Sequence, residues 1–310
     1  MKQKLIISAL CVLALAACTG KQNKNGDAAK NTDTESVAGN KNAAGNAQFA
    51  KNKCLTPIFL LANSDGSKFL LKDNEATDNN VPDSLKTYKY ILYNGKYYNV
   101  DFKGVQQGNR DADNGRDTPY NFDNCHGWLF AMQSGKLLNK PKDEYDMFWD
   151  KPLLVDEAFK AGTNLLKIKK FIADDNPGDI SDMKAKFEKQ YGKKAIKFKL
   201  DALVGDYKYF VMQFETVDNK ALGAIALVSA DGKAIVKDFP SDWDEISTWR
   251  EGDEGEFFGF DIDFATIENG RLTLYTYSAS EEGETRNSYV VEGNEIVQGS
   301  VSNYFYHAPD

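Results

Sequence analysis

Asp261 and Asp263 are the acid pair best placed for chemistry. They alternate with Phe258, Phe260, Ile262 and Phe264, a period of two that puts both carboxylates on one face of a strand and the apolar residues on the other. Two rises of about 3.3 Å set their Cα atoms roughly 6.5 Å apart, a spacing at which paired carboxylates can cleave glycosidic bonds. A solvated strand face is the simpler account of the same pattern. A second acidic set is Asp111, Asp113 and Asp117, beside Gly115. Alternate carboxylates in a tight loop suit Ca²⁺, the one cofactor the sequence suggests. The fit to an EF-hand is imperfect: Gly115 is fifth rather than sixth from Asp111, and Phe122 stands where the twelfth-position Glu belongs. A solvated turn competes with it.

Histidine chemistry has little to work with, because His126 and His307 are the only two. Cys125 and His126 are neighbours, and adjacent side chains of an extended chain point to opposite faces, which makes a poor nucleophile and base pair. His307 sits near the end. A serine hydrolase or a histidine-built zinc site is disfavoured, and no phosphate-cradling glycine loop occurs. The stretch Ser241 to Trp249 follows Pro240 and predicts a short helix capped by Ser241, with Trp243, Ile246 and Trp249 near one face. Its acids and aromatics suit a glycan or a cationic protein partner; packing of the helix onto a sheet is the plainer reading.

These residues are carried mainly by strands. Apolar runs around Asp65-Gly66 and Asn94-Gly95 read as hairpins, with Tyr88, Tyr90, Tyr93, Tyr97 and Tyr98 as strand residues or a ligand platform. Residues 104–127 form a long aperiodic loop of the kind that is functional or disordered. Gly127 to Met132 and Lys136 to Leu138 suggest a hairpin about Ser134-Gly135, and Asp143 to Gly162 suggests a helix interrupted at Pro152. Met183, Phe187 and Tyr191 recur every four residues before Gly192, predicting a helix over about 180–191. Beyond it the period turns to two, with Ile196, Phe198 and Leu200 against Lys197 and Lys199, then Phe210, Met212 and Phe214 against Val211 and Gln213. The fold class is mainly β with a few helices: an antiparallel meander that could close as a sandwich, barrel or propeller. Phe59 to Asp73 echoes Ile225 to Asp238, through duplication or through ordinary hairpin chemistry.

The N-terminus carries an address. Lys2 and Lys4 precede an apolar run from Leu5 to Leu15, then small residues lead to Cys18. That is the grammar of an export signal, and the run is too short to span a bilayer as a helix. Leu15-Ala16-Ala17-Cys18 resembles the lipobox of bacterial lipoproteins. The resemblance covers only these residues. It implies cleavage before Cys18, acylation of Cys18, and an envelope protein held to the membrane by its lipid. Thr19, in place of a retaining aspartate, favours the outer membrane over the inner.

The implied organisation is a signal at 1–17, a low-complexity tether at 18–51, a β-rich half at 52–176, and a helix followed by antiparallel strands at 177–310, the halves forming one domain or two. The tether is too polar to offset its ordering entropy. After cleavage the chain keeps Cys54 and Cys125, and export favours a Cys54–Cys125 disulfide, worth roughly 4 kcal/mol in the chain-entropy model, over two separate thiols. The mature formal charge is −10, and Pro240 to Asp310 alone carries −13. Such a surface excludes nucleic acid as a partner and attracts cations, or simply keeps the chain soluble. A non-catalytic binding or scaffolding body is the leading expectation, and a carboxylate-dependent glycan hydrolase or a glycan-binding protein the alternative.

Overall fold

The computed structural model describes residues 54–138, 150–171, 178–250, 252–280 and 282–308, all within one compact unit, Ala50–Asp310. Two antiparallel sheets dominate it, as the period-two pattern predicts. The signal, Cys18, the tether, and Tyr145, Phe148 and Trp149 lie outside the described residues.

The first sheet contains β1 (Ile58–Phe59), β2 (Leu61–Ala62), β3 (Lys68–Lys72), β4 (Tyr88–Tyr93), β5 (Lys96–Gln106), β6 (Gly127–Met132) and β7 (Leu153–Asp156). Their order is β1-β7-β4-β5-β6-β3-β2, so the two ends of the sheet are separated only by Leu60. One short stretch pairs first with β7 and then with β3, and the sheet curls round on itself. Leu60, Phe69, Ile91, Val100 and Phe130 are fully buried in one cluster between its strands. The Asn94-Gly95 hairpin forms, with φ of 47° and 68°, the left-handed pair a type I′ turn needs.

Two sequence expectations give way here. Leu153–Asp156 is a strand rather than part of a helix, because an apolar run buried at every position suits a strand held between two others. Lys136 to Leu138 forms no strand among the described residues. Leu137 and Leu138 instead donate backbone N–H groups to Gly66 and Asp65, at 3.2 and 3.0 Å, while β6 pairs with β3 and β5. The change from one sheet to the next falls at α1 (Glu157–Gly162), capped by the Asp156 carboxylate on Phe159 N–H at 2.7 Å.

The second sheet begins with β8 (Thr163–Leu165) and β9 (Ile168–Lys170). After α2 (Ser181–Tyr191) come β10 (Ala195–Val204), β11 (Tyr207–Val217), β12 (Lys220–Val228), β13 (Ala234–Asp242), β14 (Asp261–Glu268), β15 (Arg271–Ala279), β16 (Gly283–Glu292) and β17 (Glu295–Tyr306). The order β8-β14-β15-β16-β17-β13-β12-β11-β10-β9 again ends on two neighbouring segments. β8 pairs with β14 and β9 with β10, so residues 163–170 draw the edges of a nearly closed barrel together. Its weakest join is a single parallel pairing, Val236 with Glu295.

Both faces of β11 and β12 are buried over most of their length, which explains their apolar density. Val211, Ile225 and Leu227 face the barrel interior with Tyr209, Phe260 and Leu274. Phe210, Met212, Phe214 and Ala224 face outward under α2, whose Phe187 is fully buried among them. Burying such a side chain contributes about 2 kcal/mol or more, so packing rather than intrinsic propensity holds this eleven-residue helix. Gly192 ends it at φ 62°, as the sequence predicts.

Candidate functional site

Asp261 and Asp263 line different cavities, although Tyr277 lies close to both. A bulge between Ile262 and Phe264 inserts one residue into β14, so the alternation changes phase. Phe260 and Ile262 point into the barrel, as does Ala265 beyond the bulge, while Phe264 turns out against Phe59 and Tyr275 of a different cluster. Each acid consequently lines its own cavity. Asp261 is exposed at a cleft of about 410 Å³, and Asp263 lines a smaller cavity of about 190 Å³ with Asp150, Lys151, Lys170, Tyr93 and Arg286.

The larger cleft lies where the barrel seam is incomplete. β9 covers β10 only over Ala202 to Val204, and β8 covers β14 only over Thr266 to Glu268. Ahead of those pairings β10 carries its own bulges. One, between Ala195 and Lys197, throws Ile196 out to 62% exposure and breaks the predicted apolar face. Another, at Asp201, changes the phase between Leu200, under α2, and Ala202, in the barrel core. Lys197, Lys199 and Asp201 thereby line the cleft, opposite Phe258, Phe260, Asp261, Tyr277 and Arg250.

One wall of the cleft is the loop between β13 and β14, and Asp253 organises it. Its buried carboxylate accepts the backbone N–H groups of Thr248, Trp249, Arg250 and Gly255 at 2.6 to 3.0 Å. Burial opposes the charge, yet these four donors hold the carboxyl below its usual range. Gln213 ties the same loop to the sheet, donating to Gly255 O at 2.7 Å and accepting from Phe257 N–H at 2.9 Å. Gly223 makes room for Phe257, whose ring would lie 2.4 Å from an added Cβ. Gly259, at φ 66°, sits so close that a Cβ would meet Val211 at 3.0 Å.

The predicted helix over Ser241 to Trp249 is replaced by turns within this loop. Its first residues extend β13, and Asp244 spends its carboxylate on Ile246 and Ser247 N–H in a turn that competes with helix. Ser241 caps nothing and donates its hydroxyl to Thr248 O at 2.7 Å. Trp249 packs on Phe257 with its indole N–H on Phe239 O, whereas Trp243 and Ile246 stay exposed.

The cleft's charges are unequally partnered. Lys197 pairs with Glu256, and Lys199 with Asp201 at 2.6 Å. Arg250 lies over the Phe258 ring at 4.3 Å and donates one Nη1 bond to Ala279 O at 2.6 Å. Lys197 lies over the same ring at 4.4 Å. Phe258 is 45% exposed. An aromatic this open, with two cations near its ring, belongs to the cleft surface rather than to the core.

The buried charges beside the smaller cavity are paired with one another. Glu284 takes the Arg286 guanidinium at 3.2 Å through each oxygen and the Lys151 ammonium at 3.7 Å, while Arg286 also donates to Asp263. Burial pushes Lys151 below its usual value, with Glu284 opposing, and pushes Asp263 up despite Arg286. Tyr93 donates to Asp150 at 2.8 Å. Phe59, Leu153 and Phe159 from the first part of the chain pack on Phe264, Tyr275 and Phe305 of the barrel beside this network.

The proposed calcium ligands are scattered. Asp113 accepts Asn121 Nδ2 at 2.7 Å and Gly115 N–H at 2.9 Å. Asp117 pairs with Lys72 at 2.7 Å and accepts Tyr306 N–H at 2.9 Å. Asp111 is exposed, and among the described residues no group of three or more His, Cys, Asp or Glu side chains is arranged to hold a metal. The loop at 107–126 is ordered instead by buried Asn121, which reaches Arg116 O at 2.9 Å and Asn124 at 3.2 Å. The expected disulfide is also absent. Cys54, facing Glu268, and buried Cys125, facing Asn121, are both free, because they sit against different surroundings. His126 directs both ring nitrogens at backbone carbonyls, Gln107 O at 2.9 Å and Ala76 O at 2.7 Å, and Tyr88 donates to Thr56 O at 2.6 Å, so neither works on a ligand.

Comparison with protein-family models, with curated proteins and with solved structures returns no match. No helix among the described residues is long and apolar enough to cross a membrane.

Proposed function

We propose that this chain is a lipid-anchored envelope protein whose barrel binds a saccharide, without catalysis, in the cleft at its seam. Cys18 bears the lipid, the polar tether spaces the body from the membrane, and the outer membrane is the compartment. The observation that carries the binding site is the meeting of aromatic side chains, the half-exposed Phe258 among them, with two carboxylates and three cations around about 410 Å³. That volume falls within the usual range for small-ligand sites, and carboxylates beside aromatic rings are what polyhydroxylated rings need for hydrogen bonding and stacking.

Hydrolysis is the weaker reading. An acid and base pair needs one carboxyl kept protonated near another that is free to act. Asp201 is held by Lys199, and the carboxyl that burial raises, Asp263, lies in the other cavity under Arg286. Titration calorimetry of the full chain in detergent against a panel of mono- and oligosaccharides tests the proposal. Phe258→Ala should weaken binding at least tenfold with little change in melting, because the ring is half in solvent; equal affinity of parent and variant contradicts it. For the anchor, Cys18→Ser should block incorporation of an alkyne-tagged fatty acid and leave unprocessed precursor.

A further inference from the structure

Resting on the saccharide reading, we infer that the preferred ligand carries a single carboxylate, read by Arg250. The argument is a count of partners. Lys197 has Glu256 and Lys199 has Asp201, which leaves Arg250 and Asp261 as the cleft charges with no ion-pair partner among the described residues. A guanidinium has five N–H donors in a rigid fork, and among the described residues the one side-chain hydrogen bond Arg250 makes is to Ala279 O. The Phe258 ring, 4.3 Å from the guanidinium carbon, and the bond to Ala279 O brace the fork, and the Asp253 carboxylate fixes the backbone beneath it through Arg250 N–H at 2.8 Å. The fork is thus held in advance of binding, so less entropy is lost when a ligand arrives.

A planar carboxylate matches two parallel donors of such a fork. The Asp261 carboxylate only accepts, so it favours hydroxyl donors of the ligand and repels a second anionic group. The surrounding segment, Pro240 to Asp310, carries a net −13. At physiological salt its field decays over about 8 Å, so a bound monoanion meets only the charges nearest the cleft, whereas a long polyanion is opposed along the whole surface its charges cross. The ligand class is therefore a short uronic-acid-type sugar, with the acid toward Arg250 and ring hydroxyls toward Asp261.

The test is calorimetric titration of the full chain in detergent with glucuronic acid, with its uncharged isostere glucuronamide, and with glucose. Glucuronic acid should bind about tenfold tighter than glucuronamide, with the preference shrinking as salt rises. Arg250→Gln, which retains one amide donor, should bring the acid and the amide to the same affinity. Arg250→Lys keeps the charge without the fork and should restore part of the preference. Equal binding of acid and amide by the parent, or a preference that survives in Arg250→Gln with unaltered melting, overturns the carboxylate inference while leaving the saccharide reading intact. If none of the three sugars binds, both fail.

Discussion

The seam cleft and the buried network beside Phe59 hold nearly the same residue types in opposite states. In the network Glu284 takes both oxygens to Arg286 and still faces Lys151, and Arg286 spends its remaining reach on Asp263. At the cleft Arg250 makes one side-chain bond among the described residues and lies over a ring that is half in water. Desolvated ions must be matched within the fold or the fold does not survive, whereas a half-exposed ion can wait for a ligand. Charge alone therefore does not mark function; incomplete pairing at an open aromatic wall does.

The largest effect that would sharpen this contrast is Arg286→Met. It strips Glu284 and Asp263 of their partner in a buried setting and should cost about 3 to 5 kcal/mol. Thermal melting should fall by roughly 10 °C at two to four degrees per kcal/mol. A loss no larger than that of Arg250→Met would erase the distinction between the two regions. Asp253→Ala comes next, leaving four backbone donors without their acceptor and costing roughly 2 to 3 kcal/mol. It should also blunt saccharide binding, since Arg250 is positioned through it, and a variant that melts early yet binds as the parent does would separate Arg250 from its support.

A pH effect follows in size. Burial holds His307 below 6.5 in the folded state, beside Lys151 and Arg286, whose charges act in the same direction. The unfolded chain then binds the proton more readily, so stability is full above pH 6.5 and declines as pH falls through that value. Melting followed between pH 7 and 5 should show this decline, and His307→Gln should flatten it. The lowered carboxyls, among them Asp253 and Asp113, titrate below their usual 3.8 and act only at lower pH. The smallest effect is none at all: a reductant should leave melting unchanged, and denatured protein should yield two free thiols from Cys54 and Cys125.

Much of the β architecture was legible in the sequence because alternation and turn residues are local signals. Asn94-Gly95, the Phe210 to Phe214 alternation and the Ile180 to Tyr191 period each map onto an observed hairpin, strand or helix. The site was legible only in fragments. Asp261, Lys197 and Lys199 each drew notice, but the bulges at Asp201 and Asp263 shift the phase by one residue and carry no sequence mark. Seam closure by residues 163–170 is non-local, so nothing near Lys197 tells that Phe258 and Arg250 face it. Arg250 itself was missed. Its one signal was a lone basic residue amid Asp242 to Glu256. The calcium pattern leaves the structure's own use of these acids unmarked: Asp113 and Asp117 are spaced like ligands and engage Asn121, Lys72 and Tyr306.

Hydrogen exchange of the full chain, free and saturated with glucuronic acid, tests the central claim most directly. The account predicts slowed exchange over Arg250 to Asp261 and Tyr277 to Ala279, the segments lining the cleft, with residues 150–152 and 284–286 unchanged. Protection centred on residues 150–152 and 284–286, with the cleft segments unmoved, would contradict it.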